Sequence, residues 1–290
     1  MTPSPPDQLR VREGFTLADL DPRATPGFEG GKAEGKKALA AGAKALSELQ
    51  ERLFAEGRGG GTRSLLLVVQ GMDTSGKGGI MRHVVGAVDP QGVELTSFKA
   101  PTAEELSHDF LWRIRRALPD QGMIAVFDRS HYEDVLIVRV HELVPEAEWS
   151  ARYDLINEFE AELVEAGTAV VKVMLHISRD EQRARLLERL DRPDKHWKYN
   201  PGDVDERRHW DAYAEAYAEV LRRCSTDAAP WYVVPADRKW YARLAVHHIL
   251  LEHLTALDPQ WPAADFDVAA ERARLLATCR DLPPSTSPKS

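Results

Sequence analysis

The sequence predicts a three-layer α/β fold in which a mostly parallel five-stranded sheet is flanked by helices. Short apolar runs recur along the 290 residues, and segments with the apolar spacing of helices lie between them. Strands that alternate with helices favour parallel pairing, because each connecting helix returns the chain to the same end of the sheet. The composition, 43% apolar and 29% charged residues, is typical of one good-sized core. We therefore expect one domain with additional segments at both ends.

The chain begins with a segment that has little core of its own. Residues 1–31 are rich in Pro, Gly and charged residues, which predicts an extended N-terminal arm. Over 32–57, leucines recur at spacings of three, four and seven residues and a Gly-rich stretch follows, so we predict a long helix there. The main domain is expected to span 32–258.

The remaining elements are expected to alternate. Strands are predicted at 65–69, 93–98, 123–127, 169–177 and 231–234. Helices are predicted at 77–88, 103–118, 146–166, 179–190, 203–223 and 238–256. Asp203 with Glu206 resembles a capping box that would open the helix at 203–223. For 259–290 we expect a C-terminal helix and a disordered tail, since 283–290 consist of Pro, Ser, Thr and one Lys.

The most informative segment is GMDTSGKGG at 71–79, which lies between a predicted strand and a predicted helix. A strand, a glycine loop and a helix start in this order surround a phosphate with backbone N–H groups and a lysine. A glycine-rich turn that merely connects the two elements is the alternative, but the lysine at its expected position favours phosphate binding. The predicted phosphate-binding residues are Gly71, Thr74, Ser75, Gly76, Lys77, Gly78 and Gly79.

Two carboxylates are candidates for holding Mg²⁺. Gly78 occupies the loop position that normally carries a Ser or Thr ligand, so the metal must be held by another hydroxyl of the loop or by carboxylates such as Asp73. Asp128 ends the apolar strand at 123–127, as expected of a Walker B acid beside a phosphate loop. Capping of the next helix by Asp128 or Ser130 is the alternative.

Cations gather in three further places. Arg185, Arg189 and Arg192 share one predicted helix face, and Lys195 and Lys198 follow, which predicts a basic lid over about 182–210 that grips phosphate. A solvated helix face is the alternative there. Arg129 follows the Walker B acid and is expected either to contact a phosphate or to pair with the acids at 133 and 134. Lys99, just past a predicted strand end, is a candidate for binding the acceptor phosphate.

Charge and composition exclude several classes of function. A net charge of −8 and a pI near 5.7 disfavour a general nucleic-acid binder. No segment approaches the ~18 consecutive apolar residues of a membrane helix, so we expect no membrane partner. Cys224 and Cys279 are far apart and lack His-rich surroundings, which indicates neither a disulfide framework nor a zinc site. A cytoplasmic, reducing location is expected.

Four ordered segments together resemble the polyphosphate kinase 2 family: GMDTSGKGG, FDRSHYEDV, DRPDKHWKYNPGDVDERRHWDAYAEAYAEVL and APWYVVPADRKWYARL. The resemblance covers roughly residues 32–254. It implies a P-loop kinase fold with a helical lid, similar to thymidylate kinase. It also implies reversible, Mg²⁺-dependent transfer of the terminal phosphoryl group of inorganic polyphosphate to a nucleoside mono- or diphosphate, with Mn²⁺ as a substitute ion. The family's loop likewise reads GKGG, which accounts for Gly78.

Matched position by position, Asp73, Lys77 and Asp128 are similar to the family's essential loop and Walker B residues. Arg129 resembles their companion, and Arg189 resembles a lid arginine. The expected phosphate- or nucleotide-binding residues outside the loop are Lys99, Arg185, Lys195 and Lys198. The segment SFKAPTAEELSHDFLW together with SHYEDV resembles the branch that accepts both AMP and ADP. Family members commonly associate, so we expect a homo-oligomer.

Two other functions are compatible with these residues. An ATP-dependent nucleotide or small-molecule kinase would use the same loop, acids and lid but would spend ATP. A non-catalytic phosphate sensor would use the loop to bind alone, although two carboxylates and a lid are superfluous for binding. A screen of donors and acceptors distinguishes the three functions.

Overall fold

The computed structural model describes residues 5–278, in two compact units that meet between Gln260 and Trp261. The strands are β1 (Ser64–Gln70), β2 (Val93–Ser97), β3 (Ile124–Asp128), β4 (Thr168–His176) and β5 (Trp231–Pro235). The helices of the first unit are α1 (Pro5–Leu9), α2 (Lys32–Arg58), α3 (Lys77–His83), α4 (Ala103–Leu106), α5 (Trp112–Arg115), α6 (Ile137–Val140), α7 (Glu146–Glu165), α8 (Arg179–Asp191), α9 (Gly202–Glu206), α10 (Trp210–Cys224) and α11 (Lys239–Leu257). The second unit contains α12 (Val268–Thr278), and the tail predicted at 283–290 lies outside the described residues.

The five strands form one parallel sheet in the order β2-β3-β1-β4-β5, which confirms the predicted sheet. Central strand β1 is buried along its whole length, and this explains its uninterrupted apolar run. In the register, Asp128 lies opposite Val69 on one side and Ser97 on the other. The phosphate loop after β1, the acid at the end of β3 and the segment after β2 therefore share one edge of the sheet.

Alternate residues of the strands enter two separate apolar layers. Leu65 and Leu67 face a layer that includes α2, α3 and α11, whereas Leu66 and Val68 face a layer that includes α5, α7 and α10. This arrangement confirms the three-layer α/β fold. Within residues 5–278, no helix combines the length and the apolar character needed to span a bilayer.

Two predicted helices are interrupted. The helix predicted at 103–118 is two short helices, α4 and α5, because the carboxylate of Asp109 accepts a hydrogen bond from Leu111 N at 3.0 Å and so competes with helical pairing. The helix predicted at 203–223 is α9, a one-turn 3₁₀ segment and then α10. The predicted capping box is wrong, since Asp203 lies inside α9 and its carboxylate accepts from Arg189 at 3.2 Å.

The N-terminal arm also departs from the predicted extended segment. It contains α1, and it buries Leu9, Val11 and Leu17 in the two apolar layers. Val11 N donates to Trp231 O at 2.8 Å, so the arm lies along the edge strand β5. Three well-placed apolar side chains are sufficient to dock a segment whose average composition is that of a loop.

The C-terminal end of α2 packs tightly against the turn before β3. This contact allows a prediction about the free energy of unfolding. A Cβ added at Gly57 would lie 2.5 Å from Gly122 Cα and 2.6 Å from Gln121 O. Gly57→Ala is expected to lower the free energy of unfolding by about 1–3 kcal/mol, because backbone must move to admit the methyl group. At an unobstructed helical position, Gly→Ala would raise the free energy of unfolding by about 1 kcal/mol.

Denaturant unfolding measures this difference. Ala45→Gly, at an exposed position of the same helix, is the control that reports helix propensity alone. A Gly57→Ala variant as stable as the unmodified protein, or more stable, would contradict the close contact.

Candidate active site

The loop after β1 has the backbone geometry of an anion-binding turn. Gly71 and Gly76 have φ values of 148° and 118°, and Thr74 has a φ of 63°, a left-handed conformation that non-glycine residues rarely adopt. A Cβ at Gly71 would lie 2.8 Å from Leu175 O, so glycine is required where the loop leaves the sheet. The hydroxyl oxygens Thr74 Oγ1 and Ser75 Oγ are buried without a hydrogen-bond partner, which leaves two acceptors available inside the loop.

Lys77 begins α3 and folds back across the loop. Its Nζ donates to Gly71 O at 2.8 Å and to Met72 O at 3.5 Å. Burial and the nearby Arg129 lower the pKa of Lys77, while Asp73 and Asp128 act in the opposite direction. Burial thus disfavours the charged form of Lys77, and carbonyl dipoles stabilise it. A phosphate at the loop would stabilise the ammonium group more strongly.

Arg129 connects the loop to the Walker B strand. It has a φ of 65°, and its guanidinium pairs with Asp73 at 3.0 Å and with Glu133 at 3.4 Å. Gln70, at the end of β1, donates to Glu133 at 3.1 Å. Burial opposes the charge of Arg129, but Glu133 and Asp73 outweigh it and raise the pKa of the guanidinium. Arg129 therefore pairs with Glu133, one of the two acids considered from the sequence, and it also lines the cleft, where it could contact a phosphate.

Asp73 and Asp128 are better suited to Mg²⁺ than to a metal that is held by protein ligands alone. Asp73 and Asp128 both line the cleft, and among residues 5–278 the Asp128 carboxylate has no hydrogen bond or ion pair. No cluster of three or more His, Cys, Asp or Glu side chains in the described part of the chain could hold a metal. Mg²⁺ is usually bound by one or two carboxylates together with water and substrate phosphates, which these two acids match.

The loop opens into a cleft of about 660 Å³. All the predicted site residues line it except Gly71, which lines an adjacent cavity. The cationic side chains around the cleft are Lys77, Arg82, Lys99, Arg129, Arg185, Arg189, Lys195, Lys198, Lys239 and Arg243. Its acids are Asp73, Asp128, Glu188 and Asp203. Positive charge is therefore concentrated here in a chain whose net charge is −8.

Some cations of the predicted lid line this cleft and others do not. Arg189 reaches from α8 to Lys198 O at 2.9 Å and to Asp203 at 3.2 Å, which ties the two arms of the lid together. Lys195 and Lys198 line the cleft, as does the exposed Lys99 from the segment after β2. Arg192 pairs instead with acids on the exposed surface and does not line the cleft.

Arg185, predicted to bind phosphate, is occupied by the protein itself. It is 5% exposed, and its Nε donates to Glu181 at 2.8 Å. Its two terminal nitrogens donate to carbonyl oxygens of the phosphate loop and of the segment after β5. These carbonyls belong to Thr74, Ser75, Ala236 and Asp237. Since the five N–H groups have protein acceptors, the structure gives this side chain a bracing role in place of direct phosphate contact.

The adjacent cavity has a volume of about 260 Å³ and a different lining. It includes the apolar or aromatic residues Leu136, Ile137, Trp210, Tyr213 and Tyr217. The residues that it shares with the cationic cleft are Asp73, Arg129, Asn200 and Asp203. A flat, partly apolar group in the cavity would thus project a charged end towards the phosphate loop.

This cavity and three cations of the cleft were not predicted from the sequence. Arg82 lies on α3 beyond the loop, whereas Lys239 and Arg243 lie on α11. The segment DRKWYARL was a signal for Lys239 and Arg243, but its cations have no recognisable spacing relative to the loop, and Arg82 had no signal of its own.

The chain is similar to known proteins over most of its length. The family described as Polyphosphate kinase 2 (PPK2) matches residues 29–262. An AMP/ADP-polyphosphate phosphotransferase of Meiothermus ruber is 49% identical over 248 residues, which cover 86% of this chain and 91% of the relative. An ADP-polyphosphate phosphotransferase of Rhodopseudomonas palustris is 43% identical over 95% of this chain and 97% of its own.

A solved structure agrees with these relatives. The crystal structure of a polyphosphate kinase 2 from Arthrobacter aurescens TC1 superposes with a TM-score of 0.93 at 59% identity, covering 95% of this chain and 98% of that one. The fold thus recurs in a chain of nearly the same length. On these grounds the chain belongs to the polyphosphate kinase 2 family.

Proposed function

We propose that this protein transfers the terminal phosphoryl group of inorganic polyphosphate to a nucleoside mono- or diphosphate, converting AMP to ADP and ADP to ATP, reversibly and with Mg²⁺. The observation that carries the proposal is the cationic cleft, which adds Arg82, Lys239 and Arg243 to the cations predicted around the phosphate loop. A polymeric anion offers phosphate groups to all of these cations at once. The names of the two relatives, both polyphosphate phosphotransferases, support the same donor.

The two cavities suggest how the substrates are arranged. The partly apolar cavity suits the nucleoside of the acceptor, with Trp210 and Tyr213 available to pack against a base. The cationic cleft suits the polymer. Because Asp73 and Arg129 line both, the acceptor phosphate and the end of the polymer would meet beside them.

The chemistry needs charge neutralisation more than a general base. The terminal phosphate of a nucleotide is already ionised near neutral pH, so alignment and stabilisation of transferring charge dominate. Lys77 would exchange its carbonyl partners for phosphate oxygens, while Arg189, Lys195 and Lys198 close over the reacting groups. Mg²⁺, held by Asp73 and Asp128 together with the phosphates, would neutralise part of their charge. Lid closure would also exclude water and limit hydrolysis.

A donor and acceptor screen tests the proposal. Long-chain polyphosphate or ATP is supplied as the only donor with AMP, ADP, GMP or GDP, and the nucleotide products are quantified with and without Mg²⁺. Formation of ADP and ATP from polyphosphate, abolished by EDTA and restored by Mg²⁺ or Mn²⁺, is the expected result. Use of ATP with no use of polyphosphate would establish the ATP-dependent kinase instead. Tight polyphosphate binding without turnover would establish a sensor.

The cations beyond the loop lead to a separate prediction. Within residues 5–278, neither Arg82 nor Arg243 forms an ion pair or a hydrogen bond through its guanidinium. Burial, Arg82 and Arg185 lower the pKa of Arg243, as expected where like charges gather in a partly buried place. Arg243→Gln should raise the KM for long-chain polyphosphate about tenfold or more, the effect of one charge-assisted hydrogen bond, with the KM for ADP within about twofold.

Steady-state kinetics at fixed ionic strength measure both constants. Arg183→Gln is the matched control, because Arg183 is exposed on α8, pairs with Asp180 and does not line the cleft. Equal rises of both KM values in the Arg243 variant would assign this arginine a general structural role.

The location and assembly of the protein are part of the proposal. We propose that it acts in the cytoplasm, where nucleotides are abundant, and that it forms a homo-oligomer. Light scattering of the purified protein measures its mass against the 32.5 kDa of one chain, and a single-chain mass at working concentrations would reject association.

A further inference from the structure

The segment SHYEDV after the Walker B acid contains two side chains that no substrate would reach. His131 and Tyr132 are completely buried. Both contact the carboxylate of Glu160 on α7, with His131 Nε2 at 3.2 Å and the Tyr132 hydroxyl at 2.9 Å from its Oε1. The segment is therefore attached at its first turn to a carboxylate inside the protein.

Glu160 is in turn paired with a buried lysine. Lys172, in the middle of β4, is 0% exposed, and its Nζ donates to Glu160 Oε2, to the Tyr132 hydroxyl at 2.9 Å and to Cys224 O at 2.6 Å. The three ammonium donors are thus all used. Burial alone would raise the pKa of Glu160, but Lys172 and His131 outweigh it and lower that pKa.

Burying the Glu160–Lys172 pair in the core costs desolvation free energy. Apolar residues of similar volume often stabilise a protein as much as a buried ion pair does, because desolvation offsets the attraction between the charges. The surroundings are already apolar and aromatic, with Tyr132 and Trp231 rings each 5.4 Å from the ammonium group. Stability by itself therefore does not explain this network.

Its position relative to the strained backbone of Arg129 provides an explanation. Arg129 holds a left-handed φ of 65° only two residues before His131. Strained conformations persist where the surrounding structure over-determines them. Ser130 Oγ accepts from Tyr132 N at 3.2 Å, so the turn is fixed from its first residue to the buried tyrosine.

We propose that Glu160 and Lys172 are positioning residues for phosphoryl transfer: through His131 and Tyr132 they fix the turn that holds Arg129 against Asp73 at the mouth of the phosphate loop. The proposal rests on phosphoryl transfer as the function. It does not depend on the identity of the donor, because Arg129 lines both substrate cavities.

The test replaces the network by apolar residues of similar size. The variant Tyr132→Phe/Glu160→Leu/Lys172→Met should still fold, with a moderately lowered unfolding midpoint, because the lost ion pair costs little while His131 Nε2 and Cys224 O lose their partners. The value of kcat should fall at least about tenfold, since small displacements of a catalytic group are costly, while the KM values change about twofold or less. Unchanged kcat in this folded variant would overturn the proposal.

A double-mutant cycle with Arg129→Ala separates positioning from a general structural effect. If the network acts through Arg129, its replacement should change kcat by less than about twofold once that arginine is absent. The same tenfold loss in both backgrounds would show that the network acts elsewhere and would also overturn the proposal. Should the triple variant fail to fold, Glu160→Gln, which keeps the shape and removes the charge, is measured in the same cycle and judged by the same two outcomes.

The assay uses whichever donor the unmodified protein accepts in the screen described above. Absence of polyphosphate-dependent transfer would therefore reject the proposed donor, whereas additivity in the cycle would reject the positioning role. The two failures are distinguishable because the first is seen in the unmodified protein and the second only in the variants.

Discussion

Replacing Lys77 or Asp128 by Ala is expected to lower kcat by at least ~100-fold while leaving the fold intact. The Nζ of Lys77 donates to two loop carbonyls, and within residues 5–278 the Asp128 carboxylate forms no hydrogen bond or ion pair. Removing either group therefore costs the folded protein little. Under the proposed function both groups would face the transferred phosphoryl group, so their loss would raise the free energy of the transition state.

The two variants should differ in their response to metal. Asp128→Ala is expected to raise the Mg²⁺ concentration needed for half-maximal rate, because one of two carboxylates is lost. Lys77→Ala should leave that concentration nearly unchanged. Initial rates over a Mg²⁺ titration, with unfolding curves for both variants, provide the measurement.

Glu188→Ala is the matched control for the removal of an acid from the cleft. Glu188 lines the cleft, but it already pairs with Lys239 on α11 and with Arg192, and these partners lower its pKa. Its removal should change kcat by less than about threefold, as expected for an exposed pair. Near-normal activity in both the Lys77 and the Asp128 variants would reject their assignment to the reaction.

The second large effect is expected at Arg185, and it is first an effect on stability. Arg185→Ala should lower the free energy of unfolding by about 3–5 kcal/mol, because buried carbonyls of two separate segments lose their donors at once. One segment is the phosphate loop, at Thr74 and Ser75, and the other follows β5, at Ala236 and Asp237. Activity should fall as well, since the loop would lose the brace that holds its left-handed turn.

Denaturant unfolding at a temperature where the variant still folds measures the stability change. Arg183→Ala on the same helix is the control, because Arg183 is exposed and has one surface ion pair, with Asp180. That change should cost less than about 0.5 kcal/mol. An Arg185 variant with unmodified stability and a selective rise in the KM for polyphosphate would instead restore the phosphate-binding role predicted from the sequence.

Much of the site could be predicted because its signals are local in the chain. The apolar run of β1, the glycines at 71, 76 and 78 and the lysine at 77 are adjacent, and an acid directly follows the apolar residues of β3. Parallel pairing then brings Asp128 beside the loop without further information, since the carboxyl ends of neighbouring strands meet at one edge. The partners of individual side chains could not be predicted: Asp203 accepts from Arg189 and caps no helix, and Arg185 donates to backbone carbonyls.

The parallel sheet, the alternation of its strands with helices and the glycine loop with its lysine could be predicted from the chain, because hydrophobic periodicity and turn chemistry act between near neighbours. Only the packed fold shows that Arg185 braces Thr74 from 111 residues away, that Lys172 meets Tyr132 from 40 residues away, and that α11 brings Arg243 to the cleft. These contacts depend on how the layers of helices pack on the sheet. Packing therefore decides which partner each cation has, although the cations look alike in the sequence. The charge of a residue can be read from the chain, but the atom that it faces is set by the fold.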